Sequence, residues 1–155
     1  MKTAGTSPAA RYSLPQSALT ADGPVIEVLI ATTSARAAQL RSAGQAVPAP
    51  LTLRALIDTG ASQSGIDTQC VQSLNLVSQG QGLFHTPTLS GPQLLTRYEV
   101  SLTLLHPQAS YTYYSLPVVA ADLSPQGIEV LLGRDVLKQC LFVYDGHGGT
   151  WSLGF

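Results

Sequence analysis

The sequence of 155 residues has little charge and no concentration of one sign. Charged residues make up 11% of the chain, and 8 basic against 9 acidic residues leave a net charge of −1. The basic residues are scattered, whereas nucleic acids and anionic membrane surfaces are bound by clustered Lys and Arg. The composition therefore argues against both nucleic acid and membrane as partners.

Cysteine, histidine clusters and long apolar runs are also scarce. Cys70 and Cys140 form no CxxC motif and no disulfide framework, so we expect two small buried apolar side chains. His85, His106 and His147 lie far apart along the chain, so no metal site is predicted. Gly80-Gln-Gly82 lacks a third glycine and a following helix, so no dinucleotide cofactor is predicted either. No apolar run approaches the roughly 20 residues that span a bilayer, and the N-terminus lacks the apolar core of a secretory signal. We expect a soluble, cytoplasmic protein.

The hydrophobic content of 45% and the chain length indicate one globular domain. Residues 1–22 are rich in Ala, Ser, Thr and Pro, which predicts a flexible tail before a folded domain over residues 23–155. The Ala-rich segment 34–50 ends in two prolines and is predicted to be an exposed connection.

Most of the remaining chain has the alternation and β-branched content of short strands. We expect strands over 25–33, 51–58, 111–121 and 128–132, and hairpins over 83–105 and 141–155. Two short helices are predicted, one started by Ser64 and Asp67 as a capping box and stopped at Asn75, the other capped by Asp135. No strand–helix–strand rhythm appears, so a parallel α/β sheet is disfavoured.

The stretch LRALIDTGASQSGID, residues 53–67, contains the one Asp-Thr-Gly of the chain, and Asp58 ends its apolar run. An ordinary turn would also explain an aspartate there, and the tripeptide arises by chance at on the order of a few per cent in a chain of this size. The stretch VLLGRDVL, residues 130–137, follows later and joins two apolar residues to a glycine and a helix start.

These stretches, in this order, resemble the retropepsin-like aspartic proteases, and the chain looks like a bacterial-type member. In that family, D-[TS]-G-A forms the active-site loop and a later apolar-apolar-Gly strand supports it. The resemblance covers about residues 23–155 and implies an all-β, closed, barrel-like domain with one or two short helices. The residues that match the family's site are catalytic Asp58, the loop-supporting Thr59, Gly60, Ala61, Leu132 and Gly133, the flap residues Ser90, Gly91 and Pro92, and Arg134.

The chemistry implied by the resemblance is peptide hydrolysis by a water molecule, which requires one group to act as base and another as acid. Two carboxylates held close together share one proton and supply both roles. Since this chain has one Asp-Thr-Gly, the second carboxylate must come from Asp58 of a second copy across a two-fold axis. We therefore expect a homodimer that acts on a peptide or protein substrate, and an inactive monomer.

Two details depart from the viral members of the family. Their arginine at the position of Arg134 pairs with an acidic residue four positions after the catalytic aspartate, and here that position is Ser62. The ion pair is therefore absent or reassigned to Asp67 or Asp135. The predicted flap also lacks the several glycines of a viral flap, so an exposed structural hairpin is the alternative.

Other interpretations of the whole chain stay open. The fold could serve as a catalytically silent dimerisation or peptide-binding module. A dormant protease that cuts itself within residues 1–22 or 34–50 is a further alternative. Trp151 and Phe155 are candidates for the dimer interface, and core packing is the competing interpretation.

Overall fold

The computed structural model of the chain describes residues 9–13, 16–85, 91–106 and 110–155, with ten strands and four helices in those ranges. The strands are β1 (Ala9–Ser13), β2 (Val25–Ala31), β3 (Leu51–Ile57), β4 (Gly65–Asp67), β5 (Gln81–His85), β6 (Pro92–Leu104), β7 (Tyr111–Ala121), β8 (Val130–Leu132), β9 (Leu141–Asp145) and β10 (Thr150–Gly154). The helices are α1 (Gln16–Asp22), α2 (Ser34–Ser42), α3 (Thr68–Ser73) and α4 (Arg134–Leu137), with a 3-10 turn at Ser124–Gln126.

Six strands close into a barrel in the order β2-β3-β8-β4-β7-β6, and β6 pairs back onto β2. β5 pairs with the outer part of β6 and extends this hairpin beyond the barrel. Most neighbours are antiparallel, but β3 runs parallel to β8 and β4 runs parallel to β7. The prediction of a closed, barrel-like β domain is confirmed, although the described residues contain four short helices where one or two were expected.

The barrel interior follows from the alternation of apolar residues along its strands. In β6, Val100, Leu102 and Leu104 are buried, and the residues between them are only partly covered. Val28 and Ile30 of β2 are buried in the same cluster, since the two strands pair across the closure of the barrel. Burial of apolar surface at roughly 25 cal/mol per Å² makes this interior the main stabilising feature of the fold.

A separate three-stranded sheet has the order β1-β10-β9, which places the C-terminal strand in its middle. Trp151 of β10 is 1% exposed and belongs to the core cluster, against which Phe155 packs. The suggestion that Trp151 lies at a dimer interface is therefore wrong, and the competing interpretation of core packing holds for this residue.

Two segments expected to lack structure contain elements. Residues 34–50 were expected to be an exposed connection, but α2 occupies Ser34–Ser42 and buries Ala37 and Leu40. Thr33 caps this helix, because its Oγ1 accepts a hydrogen bond from the Arg36 N–H at 3.3 Å. Residues 1–22 were expected to form a flexible tail, but the described part of this segment contains β1 and α1. The domain limit at residue 23 stays a prediction.

The helix starts also differ from the expected ones. Asp67, not Ser64, caps α3, and Ser64 precedes strand β4. Gly133 occupies the N-cap position of α4, which corrects the assignment of Asp135. Asn75 has the left-handed φ of 49° expected of a residue that stops a helix. Within the described ranges, none of the helices has the length and apolarity that crossing a membrane requires.

Candidate active site

Asp58 directly follows β3 at the point where this strand runs beside β8. Ile57 is the register partner of Leu132, and the Asp58 N–H donates to the Leu132 carbonyl oxygen at 3.0 Å. The parallel pair continues a strand ladder up to the aspartate itself, so its backbone is fixed by the sheet. The carboxylate is partly exposed.

The loop after Asp58 turns back on the carboxylate. Asp58 Oδ1 accepts the Gly60 N–H at 2.7 Å, and the Ala61 N–H donates to the Asp58 carbonyl oxygen at 3.3 Å. A Cβ at position 60 would lie 3.0 Å from Asp58 Oδ1, so the absence of a side chain at Gly60 allows this close turn. The loop therefore orients one carboxylate oxygen by a short charge-assisted hydrogen bond.

Gly133 brings the segment after β8 against the same loop. A Cβ at this position would lie 2.7 Å from the Gln63 carbonyl carbon and 2.8 Å from its oxygen, which is closer than atoms can approach. The next N–H, that of Arg134, donates to the Ala61 carbonyl oxygen at 2.9 Å. Leu132, Gly133 and Arg134 thus line one side of the loop.

The Arg134 side chain holds the loop through backbone oxygens. Its Nη1 donates to the Thr59 carbonyl oxygen at 2.8 Å and to the Gly60 carbonyl oxygen at 3.0 Å. Asp67 accepts backbone N–H groups of α3 and of Leu123 instead. Asp135 accepts hydrogen bonds from Ser64, so the suggested reassignment of an Arg134 ion pair to Asp67 or Asp135 is wrong. Among the described residues, Arg134 fixes the loop through carbonyl oxygens and has no carboxylate partner.

A second contact between the two loops was missed by the sequence analysis. The Asp135 carboxylate accepts the Ser64 N–H at 3.0 Å and the Ser64 hydroxyl at 2.7 Å. Ser64 is fully buried, and its Oγ accepts the Gly133 N–H at 3.0 Å. Both residues had been interpreted as helix caps, since Ser and Asp favour that position and the sequence does not show that they meet.

The hairpin of β5 and β6 reaches away from the barrel, and its tip is the predicted flap. Gly91 and Pro92 lie where β6 begins, whereas Ser90 lies outside the described residues. The paired Leu83 and Leu94 on this hairpin are 66% and 59% exposed. An apolar pair is thus presented on the hairpin rather than packed in the core.

A cleft of about 420 Å³ adjoins the far end of the active-site loop. Ser62 and Gln63 line it from the loop, and Pro117, Asp135 and Lys138 line it from β7 and from α4 and the residue after it. The Gln63 side-chain amide donates to the Pro117 carbonyl oxygen at 3.3 Å, which ties the loop to β7. The loop is therefore held from β7 as well as from β8 and α4.

Burial raises the pKa values of three side chains, those of Cys70, Tyr113 and Cys140. Burial, followed by the charges of Asp67 and Glu129, raises the pKa of Cys70 to about 11. Burial also raises the pKa of Tyr113, whose hydroxyl donates to the Val136 carbonyl oxygen at 3.0 Å. The part of the chain that the structure describes contains no group of three or more His, Cys, Asp or Glu side chains placed so that they could hold a metal ion.

The sequence over residues 39–136 matches a family model described as aspartyl protease. This match takes in Asp58, its loop and the segment around Gly133. The chain belongs to this aspartyl protease family. The family assignment agrees with a loop that presents a carboxylate at a strand end. No curated protein matches the chain in sequence.

Similarity to a solved structure shows that this member of the family has a retropepsin-like fold. A retropepsin-like aspartic protease from Rickettsia conorii is similar with a TM-score of 0.56 and 14% identity, over 100% of this chain and 98% of that one. EIAV protease in complex with the inhibitor HBY-793 has a TM-score of 0.40 and 19% identity, over 75% of this chain and 86% of that one. The retroviral protease-like domain of Ddi1 from Leishmania major has a TM-score of 0.42 and 13% identity, over 78% and 81%.

Proposed function

We propose that this chain is a homodimeric aspartic endopeptidase in which Asp58 of each copy supplies one carboxylate of a catalytic dyad. The observation that carries the proposal is the Asp58 loop, which presents one oriented carboxylate at the end of β3. Each chain contributes a single Asp-Thr-Gly, so one copy has half of the groups that the reaction needs.

The chemistry follows from two carboxylates that share one proton. The ionised carboxylate takes a proton from a water molecule, which attacks the carbonyl carbon of the scissile peptide bond. The protonated carboxyl donates a hydrogen bond to the carbonyl oxygen and transfers its proton as the tetrahedral intermediate forms. The first carboxyl then gives the proton that it took from water to the leaving nitrogen, and the carbon–nitrogen bond breaks. As the new carboxylic acid product forms, the second carboxylate takes back a proton from a hydroxyl of the intermediate, so the pair again holds one shared proton.

The loop contacts favour this role because they fix the position of Asp58 before substrate arrives. Preorganised groups need no rearrangement during the reaction, and catalysis depends strongly on such positioning. Arg134 binds the carbonyl oxygens on one side of the loop, and Asp135 with Ser64 anchors the other end. In this proposal Leu132, Gly133, Arg134, Ser64 and Asp135 are positioning residues, and Asp58 is the catalytic residue.

The proposed substrate is an extended peptide that lies between the loop and the β5–β6 hairpin. A hairpin edge can pair with an extended backbone, which gives affinity without sequence preference. The exposed Leu83 and Leu94 would contact apolar side chains of the substrate if this hairpin closes as a flap. Residues Ser90, Gly91 and Pro92 would form the moving tip in this proposal.

The test is cleavage of an unfolded protein such as casein from pH 3 to 8, with wild type and Asp58→Asn compared. Asn keeps the size of the side chain and removes the ionisable oxygen, so we expect turnover to fall by about a thousandfold or more. Circular dichroism and sedimentation on the same samples check that the variant folds and assembles like wild type.

Two results would contradict the proposal. Equal cleavage by wild type and Asp58→Asn would assign the activity to another site or to a contaminant. A well-folded dimer that cleaves no substrate at any pH, yet binds an extended peptide with equal affinity in both forms, would favour the silent peptide-binding module.

A further inference from the structure

The cleft beside the active-site loop has polar walls that the proposed reaction does not use. These walls come from the loop, from β7 and from the end of α4, through Ser62 and Gln63, Tyr113 and Ser115, and Lys138 and Gln139. Four residues of chain span at most about 14 Å, so the Cα atoms of Asp58 and Ser62 lie no further apart than that. The cleft is therefore within reach of a peptide bound at Asp58.

Lys138 brings a positive charge to this cleft. Its side chain is exposed, and among the residues that the structure describes none makes a hydrogen bond or an ion pair with its ammonium group. Arg134, one turn earlier in the chain, donates instead to the carbonyl oxygens of Thr59 and Gly60. Lys138 is thus a cation available to an anionic ligand.

Asp135, the other charged residue of the lining, is already satisfied within the chain. Its Oδ2 accepts the Ser64 N–H at 3.0 Å. Its Oδ1 accepts the Ser64 hydroxyl at 2.7 Å and the Val136 N–H at 3.0 Å. Three hydrogen bonds stabilise this carboxylate, so it has no need of a cation from a ligand. The charge left without a partner in the cleft is positive, which favours a carboxylate as the bound group.

The neutral residues of the lining also suit an acidic side chain. Gln139 accepts the Tyr111 hydroxyl with its Oε1 at 3.1 Å, which leaves its amide N–H groups as donors. The Tyr113 hydroxyl donates to the Val136 carbonyl oxygen, so Tyr113 offers mainly apolar surface to the cleft. A glutamate has an aliphatic stem for such a surface and a carboxylate for Lys138 and Gln139.

We propose that this cleft is an accessory subsite, in which Lys138 binds an acidic side chain of the substrate away from the scissile bond. The proposal rests on the proposed function, because it takes an extended peptide that passes the Asp58 loop. A strand rises about 3.3 Å per residue, so a side chain roughly four residues from the scissile bond reaches from Asp58 to Ser62. Each copy of a two-fold dimer has its own cleft, so acidic residues are expected on either side of that bond.

The accessory subsite should affect substrate binding rather than the chemical step. Exposed ion pairs are weak, so we expect KM to be about two- to fivefold lower for a peptide with Glu at this position than for the same peptide with Gln. The value of kcat should be equal for the two peptides, since Lys138 does not touch the reacting atoms. The preference should shrink as the ionic strength is raised from about 0.05 M to about 0.5 M.

The experiment profiles the cleavage of a synthetic pool of random peptides at low salt by mass spectrometry. Lys138→Met keeps the length of the side chain and removes its charge, whereas Lys138→Arg keeps the charge. The matched control is Arg41→Met, which removes an exposed cation of α2 that does not line the cleft.

Wild type, Lys138→Arg and Arg41→Met should enrich Asp and Glu about two- to fivefold at roughly the fourth position from the cleaved bond, and Lys138→Met should not. The Glu and Gln peptides then show whether the difference lies in KM. Wild type without acidic enrichment, or Lys138→Met with the same enrichment, would overturn the proposal. A difference confined to kcat would overturn it too, because Lys138 would then act on the loop and not on the substrate.

A binding measurement separates this proposal from the proposed function. The same pool is passed over immobilised Asp58→Asn protein, with and without Lys138→Met, and the retained peptides are identified. Acidic enrichment that requires Lys138, without cleavage by wild type, would support the accessory subsite and contradict the protease. Cleavage that requires Asp58 but has no acidic preference would support the protease and overturn the accessory subsite. A protein that neither cleaves nor retains any peptide would overturn both.

Discussion

At the scale of single residues, the site depends on how closely two loops approach each other. Gly133 lies against the backbone of Gln63, and Ser64 lies against the carboxylate of Asp135. These contacts connect the Asp58 loop to the segment after β8, so changes in either segment should move the carboxylate.

Gly133→Ala tests the close approach. The new Cβ would lie 2.7 Å from the carbonyl carbon of Gln63, and main-chain atoms cannot yield as a flexible side chain can. Overpacking of this kind costs typically 1–3 kcal/mol, so we expect the free energy of unfolding to fall by about 2 kcal/mol or more, with a large loss of turnover. Urea denaturation measures the first and casein cleavage the second.

The control for this variant is Gly65→Ala, where a Cβ would have ordinary contacts of 3.7 to 4.0 Å. Its effect should stay within about 1 kcal/mol. Equal effects of the two substitutions would show that Gly133 is not required for the contact between the loops.

Cys70 gives a prediction that depends on pH. Burial raises the pKa of its thiol to about 11 from a usual 9.0, so the native state holds the proton that the unfolded state loses first. The contribution of this thiol to stability is therefore full below pH 9 and is lost as the pH rises towards 11. At pH 8 the native thiolate fraction is about a hundredfold below that of the unfolded chain.

Labelling with a disulfide reagent at pH 8 measures this difference. In a Cys140→Ser variant, which leaves Cys70 as the one thiol, native labelling should be at least about a hundredfold slower than labelling in urea. Native labelling as fast as that of the unfolded chain would contradict a buried, protonated Cys70.

The position of Asp58 could be predicted at this scale, because it depends on residues next to it in the sequence. Asp-Thr-Gly after an apolar run placed Asp58 at a strand end, and a strand end is where it lies. The contacts of Arg134 with two carbonyl oxygens and of Asp135 with Ser64 join residues about seventy positions apart. Nothing in either local segment specifies such a partner.

At the scale of the elements, the sequence predicted the positions of several strands. The predicted strand 111–121 agrees with β7, and the strands before Asp58 and before Gly133 lie within the predicted ranges. These segments are short runs rich in apolar, aromatic and β-branched residues, which favours a strand whatever its neighbours are.

The helices were predicted less well because their signals compete with long-range pairing. Ser64 was interpreted as a helix start, yet Gly65–Asp67 pairs with both β7 and β8 and forms a strand. In α2 the buried face consists of Ala37 and Leu40 only, so the apolar periodicity is too weak to stand out. Contacts between residues distant in sequence therefore determine both the strand at Gly65–Asp67 and the helix α2.

Asp67 tests the junction between β4 and α3. One carboxylate oxygen accepts the Gln69 N–H at 2.8 Å, and the other accepts the Leu123 N–H at 2.9 Å, within a buried setting. Asp67→Ala removes the cap and leaves a buried N–H without a partner, so the free energy of unfolding should fall by about 2–4 kcal/mol.

The comparison is Asp122→Ala, which removes an exposed carboxylate that accepts the N–H and hydroxyl of Ser124. We expect a change below about 1 kcal/mol for this variant in urea denaturation. Similar losses for the two variants would mean that the buried contacts of Asp67 do not stabilise the fold beyond an ordinary turn.

At the scale of the whole molecule, the closed barrel carries the Asp58 loop, and in the proposed function a second copy of the chain completes the site. The barrel holds the Asp58 loop from β3, β7, β8 and α4. The sequence indicated the need for a second copy from the single Asp-Thr-Gly.

The central claim is that two copies of Asp58 act together, and subunit mixing tests it most directly. A fixed amount of wild type is incubated with increasing amounts of Asp58→Asn, at concentrations where dimers form, until subunits have exchanged. Random pairing predicts that cleavage falls to about half at equal amounts and to about a tenth at a ninefold excess of the variant. Cleavage that stays constant as Asp58→Asn is added, with mixed dimers present, would contradict a dyad shared between two chains.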